Sequence, residues 1–290
     1  MAIDIQGLND ALLKTSKNYD EAVRKWVELA LAPAKDVPIE YYDPNGNLVQ
    51  TTVPNRAKLF NELLVNINSA MKRTYYVDAV NGSDNNDGSS TAPFKTIKKA
   101  VDSVPVGGNV RIVLLNDYVL NTTEVIEKRY VSLEATAPVT LSNIETTVNI
   151  NGTDYRSATG FVITNAVVRI EGITLNEVTP TQNLPSLYYG SSLIRVNGSN
   201  IWIYNSTINL PSDSYYSLIH FDTWKGVWGA VALRQCSITT NGASVVRLIN
   251  NAGVGLFIFN TAINDNTKWV SGVIKDTNGV PRNVLSNLVL

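Results

Sequence analysis

The residues most able to do chemistry lie close together in one stretch, SDSYYSLIHFDTWKGVW, which begins at Ser212. It supplies Asp213, His220, Asp222 and Lys225, and in a strand Asp222 would share a face with His220. Glycoside hydrolysis needs two carboxyl groups, about 5 Å apart for retention and roughly 6.5–9.5 Å apart for inversion of configuration. Asp213 and Asp222 are therefore the catalytic candidates, but a loop with solvated charges is the interpretation that we favour.

The other acidic residues give no repeated pair from which a second catalytic carboxylate could be predicted. We find none that recurs at the same phase of the sequence repeat described below, one or two copies apart. A lyase would instead need a basic residue beside an acidic Ca²⁺ site, and Arg234 and Arg247 have no acidic cluster nearby in the sequence. The acidic residues considered in the repeat region are Asp154, Glu171, Glu177, Asp213, Asp222, Asp265 and Asp276.

A polar loop near position 85 contains the oxygen ligands that a calcium ion would use. Asp84 and Asp87, with Asn85 and Asn86, could bind Ca²⁺, but their spacing matches no known calcium loop. We interpret this segment as a turn rich in Asp and Asn. The sequence contains no phosphate-binding loop, no GxSxG motif and no zinc motif. We therefore expect neither a metal nor a cofactor.

Aromatic side chains indicate a binding surface more strongly than the acidic residues do. Trp202 and Tyr204 occupy outward positions of one repeat copy, and exposed rings commonly stack on sugars or anchor protein contacts. The alternative is that the aromatic residues pack loops onto the core or become buried between subunits. Between the copies lie Tyr188 and Tyr189, together with the residues we take as glycan- or partner-binding candidates: Tyr215, Tyr216, Trp224 and Trp228.

Composition and charge exclude several other classes of protein. The chain has 290 residues and a formal net charge of −1, so it lacks the basic excess of a general nucleic-acid binder. One cysteine, Cys236, rules out an internal disulfide framework, and one histidine, His220, disfavours histidine-based metal sites. The N-terminus has no continuous apolar segment, and no apolar run approaches the ~18 residues of a membrane helix. We expect synthesis in a reducing cytoplasm, without nucleic-acid binding or membrane insertion.

The composition changes near residue 73, which predicts two domains, 1–73 and 74–290. Apolar residues recur every three or four positions from Ile5 to Leu31, as in an amphipathic helix. The segment IEYYDPNGNLVQTTV predicts a hairpin from Ile39 to Val53 around an Asp-Pro-Asn-Gly turn. A second helix should follow, and its apolar residues have the 4-3-4-3-4 spacing of a coiled-coil seam. The proposed seam, for which one amphipathic helix on a core is the alternative, comprises Val53, Ala57, Phe60, Leu64, Ile67 and Met71.

A nonapeptide repeat determines the expected fold of the second domain. Its form is aliphatic-x-aliphatic-x-(Asn/Gly/Gln)-x-small-aliphatic-(Asn/Thr), with a looser copy at Val131 and another apolar strand, VRIVLL, at Val110. The two aliphatic residues would share one strand face, and the Asn or Gly would turn the chain in a left-handed conformation. One unit cannot bury its apolar face, but stacked units can. The sequence thus predicts a parallel β-helix with inward ladders built from the copies VRIEGITLN at Val168, IWIYNSTIN at Ile201, VALRQCSIT at Val231 and LFIFNTAIN at Leu256.

The segment from Tyr75 to Val104 should cap this β-helix, because an open end exposes strand edges and core. It reads as a strand, a polar loop and a short helix whose Ile97, Ala100, Val101 and Val104 share one face. The wording YYVDAVNGSDNNDGSSTAPFKTIKKAV resembles the start of pectin-lyase-like right-handed β-helix domains. The segment YYDPNGNLVQTTVPNRAKLFNELL is similar to N-terminal segments of phage tail fibre and tailspike proteins.

These resemblances imply a mainly β protein, a right-handed parallel β-helix behind a helical and hairpin N-terminal module, assembled as a homotrimer. They imply a structural virion component, made in the host cytoplasm, whose N-terminal module binds other tail proteins. Its β-helix would contact a host-surface glycan or a further fibre protein. The alternative is a tailspike depolymerase that cleaves surface polysaccharide as a glycoside hydrolase or lyase.

Overall fold

The computed structural model describes residues 10, 13–15, 17–18, 20–21, 37–43, 45–53, 72–186, 192–213, 215–222, 228–250 and 252–288. The chain divides into two compact units, Met1–Ser69 and Ala70–Leu290. None of the helices formed by these residues is long and apolar enough to cross a membrane.

The first unit contains the predicted hairpin, which is confirmed. Strands β1 (Val37–Tyr42) and β2 (Leu48–Val53) pair antiparallel. The Asp43 carboxylate accepts the N–H groups of Asn45 and Asn47 at 2.9 and 2.8 Å and so closes the turn. The described residues from 13 to 21 are helical, in the segment predicted as the first helix.

The second unit is a parallel β-helix, which confirms the predicted fold class. The chain passes in turn through sheet 3, sheet 1 and sheet 2, and every strand of these three sheets pairs in parallel with strands of the neighbouring coils. Strands are numbered in chain order. Sheet 1 contains β3 (Lys72–Val77), β4 (Asn109–Leu114), β7 (Tyr130–Ala135), β12 (Val167–Glu171), β15 (Asn200–Tyr204), β18 (Gly229–Arg234), β21 (Val254–Phe259) and β24 (Val284–Ser286).

Sheets 2 and 3 complete each coil. Sheet 2 contains β5 (Tyr118–Leu120), β8 (Thr140–Asn143), β13 (Thr174–Asn176), β16 (Thr207–Leu210), β19 (Ser237–Thr240) and β22 (Ala262–Ile263). Sheet 3 contains β6 (Glu124–Glu127), β11 (Phe161–Thr164), β14 (Ser192–Asn197), β17 (Ser217–Asp222), β20 (Ser244–Ile249) and β23 (Val270–Ser271). A short 3₁₀-helix, Asn266–Lys268, precedes β23.

The inward ladders are confirmed, because the repeat copies pair in the register that their sequences predict. Val168 pairs with Ile201, which pairs with Val231, which in turn pairs with Leu256. The third position of each copy follows the same register. All eight ladder residues are buried: Val168, Ile170, Ile201, Ile203, Val231, Leu233, Leu256 and Ile258.

Two-residue turns connect sheet 1 to sheet 2 in four coils, and the first turn residue is left-handed in each. Its φ is +69° at Gly172, +48° at Asn205, +56° at Gln235 and +45° at Asn260. These are the Gly, Asn and Gln positions of the repeat, so the predicted turn is confirmed. Asn and Gly reach this region at the lowest steric cost, which explains why the repeat selects them.

The cap has the predicted strand, loop and helix. Helix α1 (Ile97–Asp102) begins at the N-cap Thr96, whose hydroxyl accepts the N–H of Lys99 at 3.1 Å. The Asp84 carboxylate accepts the N–H groups of Lys95 and Thr96 and fixes the loop before the helix. The cap buries the four residues predicted to face the core: Ile97, Ala100, Val101 and, just after the helix, Val104.

An antiparallel hairpin interrupts the β-helix, and the sequence interpretation missed it. Strands β9 (Glu145–Ile150) and β10 (Thr153–Ala158) pair around Asn151 and Gly152, which have φ of +50° and +82°. Asn-Gly at a two-residue turn with both φ positive is the strongest short hairpin signal.

Candidate functional site

Three basic side chains form a row across the outer face of sheet 3. Arg195 in β14, His220 in β17 and Arg247 in β20 are Cα partners in successive strands. Side chains alternate along a strand, and the neighbours of these three residues belong to the hydrophobic core. The basic row (Arg195, His220 and Arg247) therefore points away from the core.

The basic row is nevertheless covered, since His220 is 2% exposed and Arg247 is 7% exposed. The Arg195 guanidinium donates to the carbonyl oxygen of Ala158, at the end of β10, at 2.8 Å. The Arg247 guanidinium donates to the Tyr215 carbonyl oxygen and lies 5.1 Å from the centroid of the Tyr215 ring. Hairpin β9–β10 and the loop between β16 and β17 thus contribute the cover.

An ion pair fastens that loop, residues 211–213 and 215–216, which we call the covering loop. Arg156 of β10 pairs with Asp213, and both side chains are largely buried. Arg156 also donates to the Ser186 hydroxyl at 2.7 Å and to the Gln182 carbonyl oxygen at 3.2 Å. The Tyr216 hydroxyl donates to the Ser157 carbonyl oxygen at 3.4 Å. One arginine on the hairpin therefore holds two connections in place.

His220 cannot act as an acid–base group at neutral pH in this position. Burial, followed by the charges of Arg247 and Arg195, lowers its pKa to about 3. The ring is therefore neutral, and its Nε2 atom is buried without a hydrogen-bond partner. The neighbouring Arg195 also has a buried Nε without a partner. These two nitrogens are polar groups that the described residues leave unsatisfied on the sheet 3 face.

Glu177 lies just after β13 and is buried near Arg195. Burial raises its pKa to about 8, against the opposing hydrogen bonds from Asn143 and Leu193 and the charge of Arg195. Its carboxyl oxygens accept the Asn143 amide at 3.0 Å and the Leu193 N–H at 2.5 Å. This carboxyl group stabilises the connection between sheets 2 and 3 and is closed to solvent.

Of the two catalytic candidates, only the Asp213 side chain is among the described residues, and it is largely buried. The Asp213 carboxylate forms an ion pair with Arg156 and also accepts the Tyr215 N–H at 2.8 Å. Asp222 ends strand β17, and its side chain lies outside the described part, as does Lys225. Among the described residues, no three His, Cys, Asp or Glu side chains group as a metal site.

The aromatic candidates have different surroundings. Tyr215 is 47% exposed and Trp228 is 57% exposed. The Trp228 indole packs on Gly253, where an added Cβ would lie 2.4 Å from the ring. Tyr216 is fully buried, so its interpretation as a ligand-facing residue is wrong and it packs the covering loop. Trp224 lies outside the described residues.

The remaining predicted site residues either belong to strands and turns or lie outside the described residues. Val53 ends strand β2, and the remaining seam residues Ala57, Phe60, Leu64, Ile67 and Met71 lie outside the described ranges. Asp87 accepts the Ser89 N–H at 2.9 Å, as in an Asx turn. Hydrogen bonding to Ser89 lowers the pKa of its carboxyl group.

Two acidic residues that do recur were missed. Glu134 and Glu171 are Cα partners in neighbouring strands on the outer face of sheet 1. Both occupy the fourth position of their repeat copies, VSLE and VRIE. The conclusion that no acidic residue recurs at one phase was therefore wrong. Each is ion-paired, Glu134 with Arg111 at 2.8 Å and Glu171 with Arg169. A comparison of the loose copy at Val131 with the copy at Val168 would have found the pair.

Comparisons with known proteins add little beyond the geometry. No protein-family model matches the chain, and no curated protein matches it. Among solved structures, a rhamnogalacturonan lyase is similar over 73% of this chain and 65% of its own length, with 15% identity and a TM-score of 0.38. The chain thus spans about two thirds of that structure. The fold assignment rests on the strand pairing described above.

Proposed function

We propose that this protein is a structural virion component of the tail fibre or tailspike type, whose β-helix binds a host-surface glycan without cleaving it. One observation carries the binding part of this proposal. At the outer face of sheet 3, exposed Tyr215 lies against the Arg247 guanidinium, while Asp213 is ion-paired and Glu177 is buried. Such a surface offers an aromatic ring for stacking, and the carboxyl groups of Asp213 and Glu177 are not free to act on a substrate.

Tyr215 has the geometry of a sugar-stacking residue. One face of its ring lies near the Arg247 guanidinium at 5.1 Å, and almost half of the side chain remains exposed. The guanidinium fixes the ring orientation and favours it electrostatically. A fixed flat ring loses little conformational entropy when a ligand stacks on it. Trp228, held against Gly253, supplies a second exposed aromatic side chain near the start of β18.

The attachment and assembly parts of the proposal rest on the sequence pattern. The N-terminal module would bind other tail proteins, and the seam from Val53 to Met71 would assemble three copies. Phe60→Asp or Ile67→Asp should weaken that assembly, because each change places a charge in the seam. Light scattering of dilute protein tests this part, and a single species of about 32 kDa would contradict it, given the 31.7 kDa chain.

Binding of purified protein to host-surface polysaccharide tests the glycan part. Trp228→Ala or Tyr215→Ala should each weaken binding by roughly thirtyfold, as expected for a central aromatic anchor that contributes about 2 kcal/mol. Tyr41→Ala is the matched control, because Tyr41 is a 40%-exposed aromatic residue of hairpin β1–β2. Unchanged binding in both variants would show that these rings are packing groups and would favour a spacer or connector role.

A depolymerase is the second candidate function, and one observation favours it. Glu134 and Glu171 are adjacent on the outer face of sheet 1, where strands are about 4.8 Å apart. The ion pair with Arg111 helps to lower the pKa of Glu134, which disfavours it as a general acid. Release of reducing ends from host polysaccharide, abolished by Glu134→Gln and Glu171→Gln together, would establish cleavage. If the wild type releases no reducing ends, binding without cleavage is favoured.

A further inference from the structure

The outer face of sheet 1 contains a groove that the function proposed above does not use. It has a volume of about 440 Å³ and crosses strands β7, β12, β15 and β18. The repeat places the groove side chains at outward positions, because their neighbours in each strand form the inward ladders. The lining side chains that matter here are Tyr130, Arg169, Glu171, Trp202, Tyr204 and Arg234.

The aromatic side chains of this groove are held in fixed orientations. The Tyr130 and Trp202 rings meet edge to face, with centroids 6.3 Å apart and an interplanar angle of 73°. The Arg169 guanidinium lies 5.2 Å from the Tyr204 ring centroid. Both Trp202 and Tyr204 are partly exposed. Rings held by their neighbours keep an accessible surface without the entropy cost of ordering them on binding.

The charges of the groove leave one cation available. Arg169 is ion-paired with Glu171, and Glu171 also accepts the Asn205 amide at 3.2 Å. Arg234 is exposed and forms no ion pair with the part of the chain that the structure describes. It follows Tyr204 in the same cross-strand row. The Arg169 Nε atom is buried and has no hydrogen-bond partner among the described residues.

From these observations we infer that the groove binds an oligosaccharide with an anionic substituent. A sugar ring stacks on Trp202, and the carboxylate, sulfate or phosphate group accepts hydrogen bonds from Arg234. Arginine presents paired N–H donors that match the oxygens of such a group. This site lies on a different sheet from the Tyr215 and Trp228 surface, and it stands whether or not that surface binds glycan.

A binding experiment with a panel of acidic oligosaccharides and their neutral counterparts tests the inference. The acidic members carry carboxylate, sulfate or phosphate in separate sets, which distinguishes the three sources of charge. Trp202→Ala should weaken the best acidic ligand roughly thirtyfold. Arg234→Gln should weaken it about tenfold or more, with little effect on the neutral counterpart. Arg234 is exposed, so this variant should fold even if Trp202→Ala does not.

Two variants serve as matched controls. Arg282→Gln removes the same charge from an exposed position outside the groove and should leave binding unchanged. Trp228→Ala removes an exposed indole from the other proposed surface, so its effect separates the two sites. The inference is overturned if no acidic oligosaccharide distinguishes wild type from Trp202→Ala. Equal losses for Arg234→Gln and Arg282→Gln, or a change of oligomeric state in Trp202→Ala, would also overturn it.

Discussion

The outer faces of sheets 1 and 3 have the same backbone geometry, but their polar side chains differ in exposure to solvent. On sheet 3, His220 and Arg247 are almost completely buried beneath the covering loop and hairpin β9–β10. On sheet 1, the ion pairs of Arg111 with Glu134 and of Arg169 with Glu171 remain open to solvent. Both sets of residues point outward from the same β-helix, so strand alternation alone does not determine their environment.

The length of the connections explains the difference. Sheet 1 is joined to sheet 2 by two-residue turns in four coils, such as Asn205–Ser206, which are too short to fold over a neighbouring sheet. The connections from sheet 2 to sheet 3 are longer, and one of them contains hairpin β9–β10. Long connections fold back and bury polar groups, which then require partners. The length of the connections therefore determines that the outer face of sheet 1 is open to solvent and that the outer face of sheet 3 is covered.

The largest expected effect comes from releasing the cover of sheet 3. Arg156→Ala should reduce the free energy of unfolding by about 3 kcal/mol, because it leaves the largely buried Asp213 without its partner. Chemical denaturation measures this loss. Limited proteolysis should also cut the covering loop faster in the variant. A variant as stable as the wild type, with an unchanged digestion pattern, would show that other contacts hold the loop.

Two buried groups near the sheet 3 face, Glu177 and His220, should contribute strongly to the pH dependence of stability. The pKa of Glu177 rises from 4.5 to about 8 on folding, so stability conferred by its protonated form is lost as the pH rises through that range. The pKa of His220 falls from 6.5 to about 3, so stability conferred by its neutral form is lost as the pH falls through that range. The two slopes oppose each other between pH 4.5 and 6.5.

Denaturation at a series of pH values tests both assignments. Between pH 6.5 and 8 the wild type should lose about 2 kcal/mol, at ~1.4 kcal/mol per pH unit for one proton. Glu177→Gln should remove this loss, while His220→Gln should flatten only the acid side of the profile. If Glu177→Gln retains the slope above pH 6.5, a different group titrates there.

The smallest effect should come from the open face of sheet 1. Arg111→Gln removes an ion pair with a half-exposed arginine, and such pairs contribute about 0–1 kcal/mol. The loss should shrink further in 1 M salt, where screening extends over only ~3 Å. Denaturation at low and high salt measures both. A loss as large as that of Arg156→Ala would erase the proposed contrast between the two faces.

The sequence predicted the β-helix well because its signal is repeated. The copies at Val168, Ile201, Val231 and Leu256 carry the same aliphatic spacing and the same turn position, and their register followed directly. The cap was predictable for a related reason, because Ile97 and Val101 lie on one helix face, which must be buried against an apolar surface. Local periodicity and the burial of one face determine these elements together.

The candidate site was less predictable, because loop packing depends on contacts between distant residues. Nothing near Asp213 in the sequence indicates that Arg156, 57 positions earlier, will pair with it. Adjacent Tyr215 and Tyr216 look alike in sequence, but one is exposed and the other is buried. The recurrence of Glu134 and Glu171 was available in the sequence and was missed because Glu134 lies in a loose copy of the repeat.

The two-residue turns also affect how such a chain can change in evolution. Each coil pairs only with the coil before it and the coil after it, and each turn uses the same left-handed corner. If one repeat unit between two such turns were duplicated or deleted, the strands joined at the new junction would keep the same inward and outward positions. The gene can therefore gain or lose length in steps of one coil, each about 4.8 Å along the axis. The length of the β-helix and the number of its outward-facing positions would then vary in small increments under selection, without a new fold.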